Sequence, residues 1–317
     1  MKGILPILPH AAVKALADFL GATVFAFDVQ GRRIALANLE AAFGERYTEA
    51  ERERVAERSY RNFALTMLEL FWGQGISRSR FDAITEVSGF REILEEAART
   101  GRGVALLCPH FAAWEWAAVT FAQIGGAASI VAQDFKNPLL TPLFAELRRH
   151  GKHTLLSQER AMLKLLKCVR RGERVAILPD LNLKPEEGAQ MIRVFGPDPL
   201  EVCVTPLHAL LGLRGNALLV PVVADRLGDG RIQILALAPL EFGAETPAEE
   251  IVQRTWDVYE PLIREKPELW LWAYKHFRFR PEKTTRPYPF YARPHSGFES
   301  LRKRNFGEAR AGEAPSR

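Results

Sequence analysis

The chain has 317 residues, 47% hydrophobic and 26% charged, a globular composition that excludes disorder and fibrous repeats as the main state. Forty-three Lys and Arg against 38 Asp and Glu leave a net charge of +5, which favours acidic partners such as anionic lipid, a phosphorylated substrate, an acidic carrier protein or nucleic acid. Three cysteines (Cys108, Cys168 and Cys203) lie scattered in apolar runs, which excludes a disulfide framework or zinc site and points to a reducing compartment.

The N-terminus carries one Lys and a short apolar run cut by Pro6 and Pro9, and Asp18 interrupts the apolar stretch that follows. No window reaches the roughly 20 apolar residues of a spanning helix. The pattern from Pro9 to Phe27 predicts an amphipathic helix, either lying in a membrane interface or packed on the body. Thr48 followed by Glu51 is a capping box. Behind it Val55, Tyr60, Phe63, Met67, Leu70 and Phe71 recur at helical spacing, so a helix is expected over Glu49 to Phe71, and another over Gly89 to Thr100.

From Gly103 onward, short apolar runs alternate with helical patterns. Strands are expected at Val104–Cys108, Ala128–Ala132, His153–Leu156, Val175–Leu178, Ala217–Val223 and Arg231–Leu237. Helices are expected at Trp114–Ile124, Leu139–His150, Glu159–Arg170, Thr205–Leu213 and Ala248–Ile263. The alternation predicts an α/β fold, a largely parallel central sheet flanked by helices, with an N-terminal helical segment. No linker interrupts the middle of the chain. The expected organisation is a membrane-associating helix over 1–30, one domain over 31–290, and a basic flexible tail over 291–317 that holds Arg302, Lys303 and Arg304.

The sharpest local signal is Cys108-Pro109-His110-Phe111-Ala112-Ala113-Trp114-Glu115-Trp116. His110 falls in the loop past the carboxyl end of a buried strand, where open α/β sheets place their sites. Glu115 falls in the first turn of the next helix. If the two meet, the carboxylate accepts the Nδ1 proton and Nε2 is left as a general base. The alternative is a core histidine satisfied by its surroundings. A second cluster ends in Arg148-Arg149-His150-Gly151-Lys152, suited to a phosphate or acidic carrier, or simply to a solvated helix end. A third is Leu178-Pro179-Asp180, an acid just past a strand, which serves a site or a helix cap equally well. There is no dinucleotide or Walker loop, no Gly-x-Ser-x-Gly elbow, no metal-ligand spacing and no basic–aromatic interleaving. No cofactor, no metal and no nucleic acid are expected.

Taken together, these segments resemble the bacterial lipid A biosynthesis (late) acyltransferases, within the lysophospholipid acyltransferase-like superfamily. The resemblance spans roughly residues 5–282. Asn38-Leu39 with Ala42-Phe43-Gly44 is similar to an early signature, with Gly44 where Pro is usual. His110 to Glu115 is similar to the His-x4-Asp/Glu catalytic motif. Lys136-Asn137-Pro138-Leu139 with Arg148 and Gly151 resembles a second block, with Gln133 where Arg is frequent. Leu178-Pro179-Asp180 with Val194-Phe195-Gly196 resembles a third, and Leu271 to Arg278 a C-terminal signature. The resemblance implies a glycerol-3-phosphate acyltransferase-like fold. It implies acyl transfer from an acyl carrier protein or acyl-CoA to a hydroxyl of a membrane glycolipid akin to a lipid A precursor. His110 would be the base and Glu115 its orienting partner, with Arg148, Asp180, Asn137 and Gln133 positioning substrate. The implied location is the cytoplasmic face of the bacterial inner membrane, peripheral or monotopic on its anionic surface. An acyl-thioester hydrolase and a catalytically inactive membrane-surface binding protein are the alternatives.

Overall fold

A short 3-10 turn at Leu5–Ile7 precedes two consecutive α-helices in this computed structural model, which describes residues 5–132, 153–157, 159–185 and 188–307. α1 (His10–Phe27) begins behind Pro9 and ends at Asp28, whose side chain accepts the Gly31 N–H and so starts α2 (Val29–Phe43). α3 (Glu49–Trp72) begins at the expected capping box: the Thr48 hydroxyl accepts the Glu51 N–H and the Glu51 carboxylate accepts the Thr48 N–H. α1 packs along α3 through Val13, Ala17 and Gly21, spaced one turn apart. A Cβ on Gly21 would stand 2.4 Å from the Cα of Arg61, so this crossing requires glycine.

The α/β body follows in chain order: α4 (Arg78–Ile84), β1 (Thr85–Ser88), α5 (Phe90–Thr100), β2 (Val104–Leu107), α6 (Trp114–Gln123), β3 (Ser129–Ala132), β4 (Thr154–Ser157), α7 (Ala161–Arg170), β5 (Arg174–Ile177), β6 (Gln190–Val194), β7 (Leu200–Val204), α8 (Leu207–Gly215), β8 (Leu218–Arg226), β9 (Ile232–Ala236) and α9 (Ala248–Glu265). Seven strands form one sheet in the order β1-β9-β8-β2-β5-β3-β4. Every neighbouring pair is parallel except β8 with β9. β2 is central and wholly buried, as a strand covered on both faces must be. Its residues alternate between two cores. Ala105 and Leu107 join Trp256, Tyr259 and Trp270 on one face, while Val104 and Leu106 join Trp72, Phe90 and Trp116 on the other.

Some elements differ from expectation. Residues 190–204, for which no element was expected, contain an antiparallel hairpin, β6 with β7. Its turn starts at Phe195 and Gly196, both at positive φ. Residues 291–317 were expected to be a flexible tail, yet α10 (Ser296–Phe306) lies within them, with Phe298 and Leu301 buried against Met191 and Cys203 of the hairpin. Two apolar side chains one turn apart anchor it, despite the flanking Arg and Lys. The helix expected over Leu139–His150 lies outside the described residues.

Candidate active site

β2 and β5 are parallel neighbours, with Leu107 beside Ile177. The Cys108 N–H donates to the Ile177 carbonyl at 3.0 Å, which carries the register past the end of β2. His110 and Asp180 each stand three residues beyond the paired positions Leu107 and Ile177, so the pairing delivers both to the carboxyl edge of the sheet. There Asp180 Oδ1 lies 3.0 Å from His110 Nδ1. Asp180 Oδ2 accepts the backbone N–H of His110 at 3.0 Å and the indole N–H of Trp270 at 3.2 Å. The carboxylate side chain is 2% exposed and the imidazole 18%, so the acid is sealed while the ring keeps part of its edge at the surface.

Burial alone would push the Asp180 carboxyl up, but the His110 charge and its hydrogen bonds, with His276 nearby, hold it down at about 2. Asp180 is therefore an anion at neutral pH. His276 supports the arrangement from behind. Its ring stacks on Trp270 with centroids 3.8 Å apart, and its Nε2–H donates to the Leu271 carbonyl at 2.8 Å. Burial lowers its pKa to about 4, so it is neutral there. The Cys108 thiol is pushed well up by burial and then by the charges of Asp180 and Glu115, which rules it out as a thiolate nucleophile at neutral pH.

The loop that carries His110 is tightly held. Phe111 forms an antiparallel bridge with Trp270. Ala112 adopts φ +47°, in the left-handed region. Its N–H donates to the Leu269 carbonyl at 2.7 Å, and the Ala113 N–H donates to the Ala224 carbonyl at 3.0 Å. Glu115 is buried in the first turn of α6, as expected. The Nδ1 hydrogen bond that spacing assigned to Glu115 goes instead to Asp180. Local spacing favours a residue five positions away, whereas sheet register brings in one seventy positions away.

Sequence reasoning did not single out Trp270 or His276 as part of this cluster. Both belong to or border the C-terminal block, Leu271 to Arg278, whose Trp and His types were the available signal. Gln133, Asn137 and Arg148 lie outside the described residues. Among the described residues, no three of His, Cys, Asp and Glu converge as metal ligands would.

A model of the family described as bacterial lipid A biosynthesis acyltransferase matches residues 2–279. The chain belongs to this family. It is 27% identical over 281 residues to the lipid A biosynthesis lauroyltransferase of Escherichia coli (strain K12), an alignment covering 87% of this chain and 88% of that protein. The lipid A biosynthesis palmitoleoyltransferase of the same organism is 24% identical over 292 residues, covering 86% and 87%. Its lipid A biosynthesis myristoyltransferase is 25% identical over 260 residues, covering 81% and 78%. The chain is thus an acyltransferase with the α/β architecture described above, a mostly parallel-sheet body behind an N-terminal helical segment.

Proposed function

We propose that the enzyme moves a fatty acyl group from a thioester, carried on acyl carrier protein or coenzyme A, to a hydroxyl of a lipid A precursor-like glycolipid. The observation that supports this reading best is the His110–Asp180 contact at the open edge of the sheet. Nδ1–H donates to the Asp180 anion, so Nε2 takes the base role. It accepts the proton of the acceptor hydroxyl as that oxygen attacks the thioester carbonyl. The tetrahedral intermediate then collapses, the C–S bond breaks, and the imidazolium returns the proton to the departing thiolate. Asp180 stabilises the imidazolium between these steps. Glu115, buried beside the same loop, is assigned to shaping the site, while the orienting role expected of it passes to Asp180. Arg148, Asn137 and Gln133 remain candidates for holding phosphate or donor.

We assign attachment to α1. It is long and apolar enough by composition to cross a membrane, yet 18 residues at about 1.5 Å each span only about 27 Å. One side packs on α3, while Leu16, Phe19, Leu20 and Phe27 are exposed away from that contact on α1 itself. A helix covered on one side and greasy on the other suits the interfacial position of a peripheral or monotopic enzyme on the cytoplasmic face of the inner membrane. The deciding experiment supplies acyl carrier protein or coenzyme A thioesters with and without a lipid A precursor, and follows products by mass spectrometry. Acylated glycolipid that forms only with acceptor present supports transfer. Free fatty acid at the same rate without acceptor would replace this reading with a thioester hydrolase, and no turnover of either kind would leave a binding protein.

A further inference from the structure

Behind the His110 loop lies a buried ion pair that the proposed chemistry does not use. Glu69 of α3 has a fully buried side chain, and Arg226, at the end of β8, grips it with both terminal nitrogens at 2.8 Å. The guanidinium's other bonds run towards the site. Nε donates to Asn62 Oδ1 at 2.8 Å and Nη2 to the Thr66 hydroxyl at 3.0 Å. Thr66 Oγ1 lies 2.7 Å, and Asn62 Nδ2 3.3 Å, from the carbonyl of Ala112. That carbonyl belongs to the left-handed residue two positions after His110. At the outer end His10, the first residue of α1, places Nε2 2.9 Å from Glu69 Oε1.

A buried ion pair is weak as a source of stability, because desolvation cancels much of its attraction. A non-glycine residue in the left-handed region persists only where its surroundings over-determine it. Here the two features meet. The guanidinium orients Asn62 and polarises the Thr66 hydroxyl, whose nearest acceptor is the Ala112 carbonyl, with the Asn62 carbonyl at 2.9 Å. The Asn62 amide reaches the carbonyls of Ala112 and of Leu269, which itself accepts the Ala112 N–H, so these contacts converge on the strained turn. We propose that Arg226 and Glu69, acting through Thr66 and Asn62, are positioning residues that fix the Ala112 carbonyl and thereby set His110 against Asp180.

Thr66 separates this role from plain stability. Thr66→Val keeps the shape and removes the hydroxyl, while Thr66→Ser keeps the hydroxyl. Hydrogen–deuterium exchange of the peptide covering residues 108–116 reads the loop directly, because the Ala112 and Ala113 N–H groups are protected only while it is closed. The full-length enzyme should show about tenfold faster exchange there in Thr66→Val, with the rest of the chain unchanged. Its kcat should fall about tenfold at a donor KM within about twofold, since misplacing a reacting group costs turnover rather than binding. Thr66→Ser should match the unmodified enzyme in both. Wild-type loop exchange in Thr66→Val, equal damage in Thr66→Ser, or faster exchange spread over the whole chain would each overturn the proposal. If Thr66→Val does not fold, Arg226→Lys keeps the charge opposite Glu69, loses the fork, and should give the same local exchange. The kinetic arm rests on the acyl-transfer reading and the exchange arm does not. An unmodified protein without transfer activity would refute that reading while exchange still decides the positioning role.

Discussion

Asp180→Asn tests which carboxylate orients His110. The change is nearly isosteric and leaves a buried side chain of the same shape. With its carbonyl oxygen in the Oδ2 position, the amide keeps the donors from the His110 N–H and the Trp270 indole. Its NH2 group then faces His110 Nδ1 across the 3.0 Å contact. Two donors cannot share that contact, so Nδ1 becomes the acceptor and the proton moves to Nε2, where the base lone pair is needed. The corresponding Asp→Asn change in serine protease triads costs about 10,000-fold through the wrong tautomer, and a loss of about 1,000-fold or more in kcat is expected here. The same variant has a stability signature. Asp180 is held at about 2 in the fold, against an ordinary value of about 3.9 unfolded. The native state therefore binds the proton more weakly, and the carboxylate adds about 3 kcal/mol above pH ~5 that is lost as pH falls through ~4 towards ~2. Urea unfolding from pH 7 downward should show this acid-side loss in the unmodified enzyme and not in Asp180→Asn. The assay is single-turnover acyl transfer with product detected by mass spectrometry, run beside Glu115→Gln. Asp180→Asn within about threefold of the unmodified rate, with Glu115→Gln inactive, would refute the assignment and return the orienting role to Glu115.

Three further outcomes are expected. His110→Ala should lower transfer about 100- to 10,000-fold with the fold intact by circular dichroism, whereas Cys108→Ser should stay within a few-fold, because its thiol is protonated at neutral pH. Phe19→Glu with Phe27→Glu should move the enzyme from anionic liposomes into the supernatant in sedimentation assays. Each ring withdrawn from lipid forfeits about 2 kcal/mol, and release by high salt alone in the unmodified enzyme would mark the attachment as mostly electrostatic.

Much of the fold was legible because its signals are local. The Thr48–Glu51 box started α3, and the runs at Val104, Val175 and Ala217 became the three adjacent central strands β2, β5 and β8. What escaped depends on contacts distant in sequence. α2 carries a helical stripe at Gly31, Ile34, Ala35, Asn38, Leu39 and Ala42, but its small and polar members mark no core side on their own, and Asn38 is held by donating to the carbonyls of Trp272 and Tyr274 more than 230 positions away. α10 is rich in charge, and the burial of Phe298 and Leu301 against the β6–β7 hairpin, with the Arg302–Glu201 ion pair, distinguishes it from a solvated tail. No periodicity count within either segment contains those distant contacts.

The site shows the same division more sharply. His110 was legible from a strand end and its following loop, and so was Asp180, each as an isolated candidate. Their partnership was not, because it depends on which strand lies beside which. In a parallel sheet, strands adjacent in space are separated in sequence by at least a crossover, so residues meeting at the carboxyl edge come from separate segments. Here β3 and β4 intervene in the chain between β2 and β5, while in the sheet β5 lies directly between β2 and β3. The Leu107–Ile177 register then makes equal overhangs coincide: three residues beyond one strand is His110, and three beyond the other is Asp180. Glu115 looked the better partner on spacing because a helix start five residues away is certain to be near. Nearness along the chain does not decide which atom faces Nδ1. The strand pairing does, and it brings a sealed anion, already bonded to the His110 backbone, against the ring of the same residue.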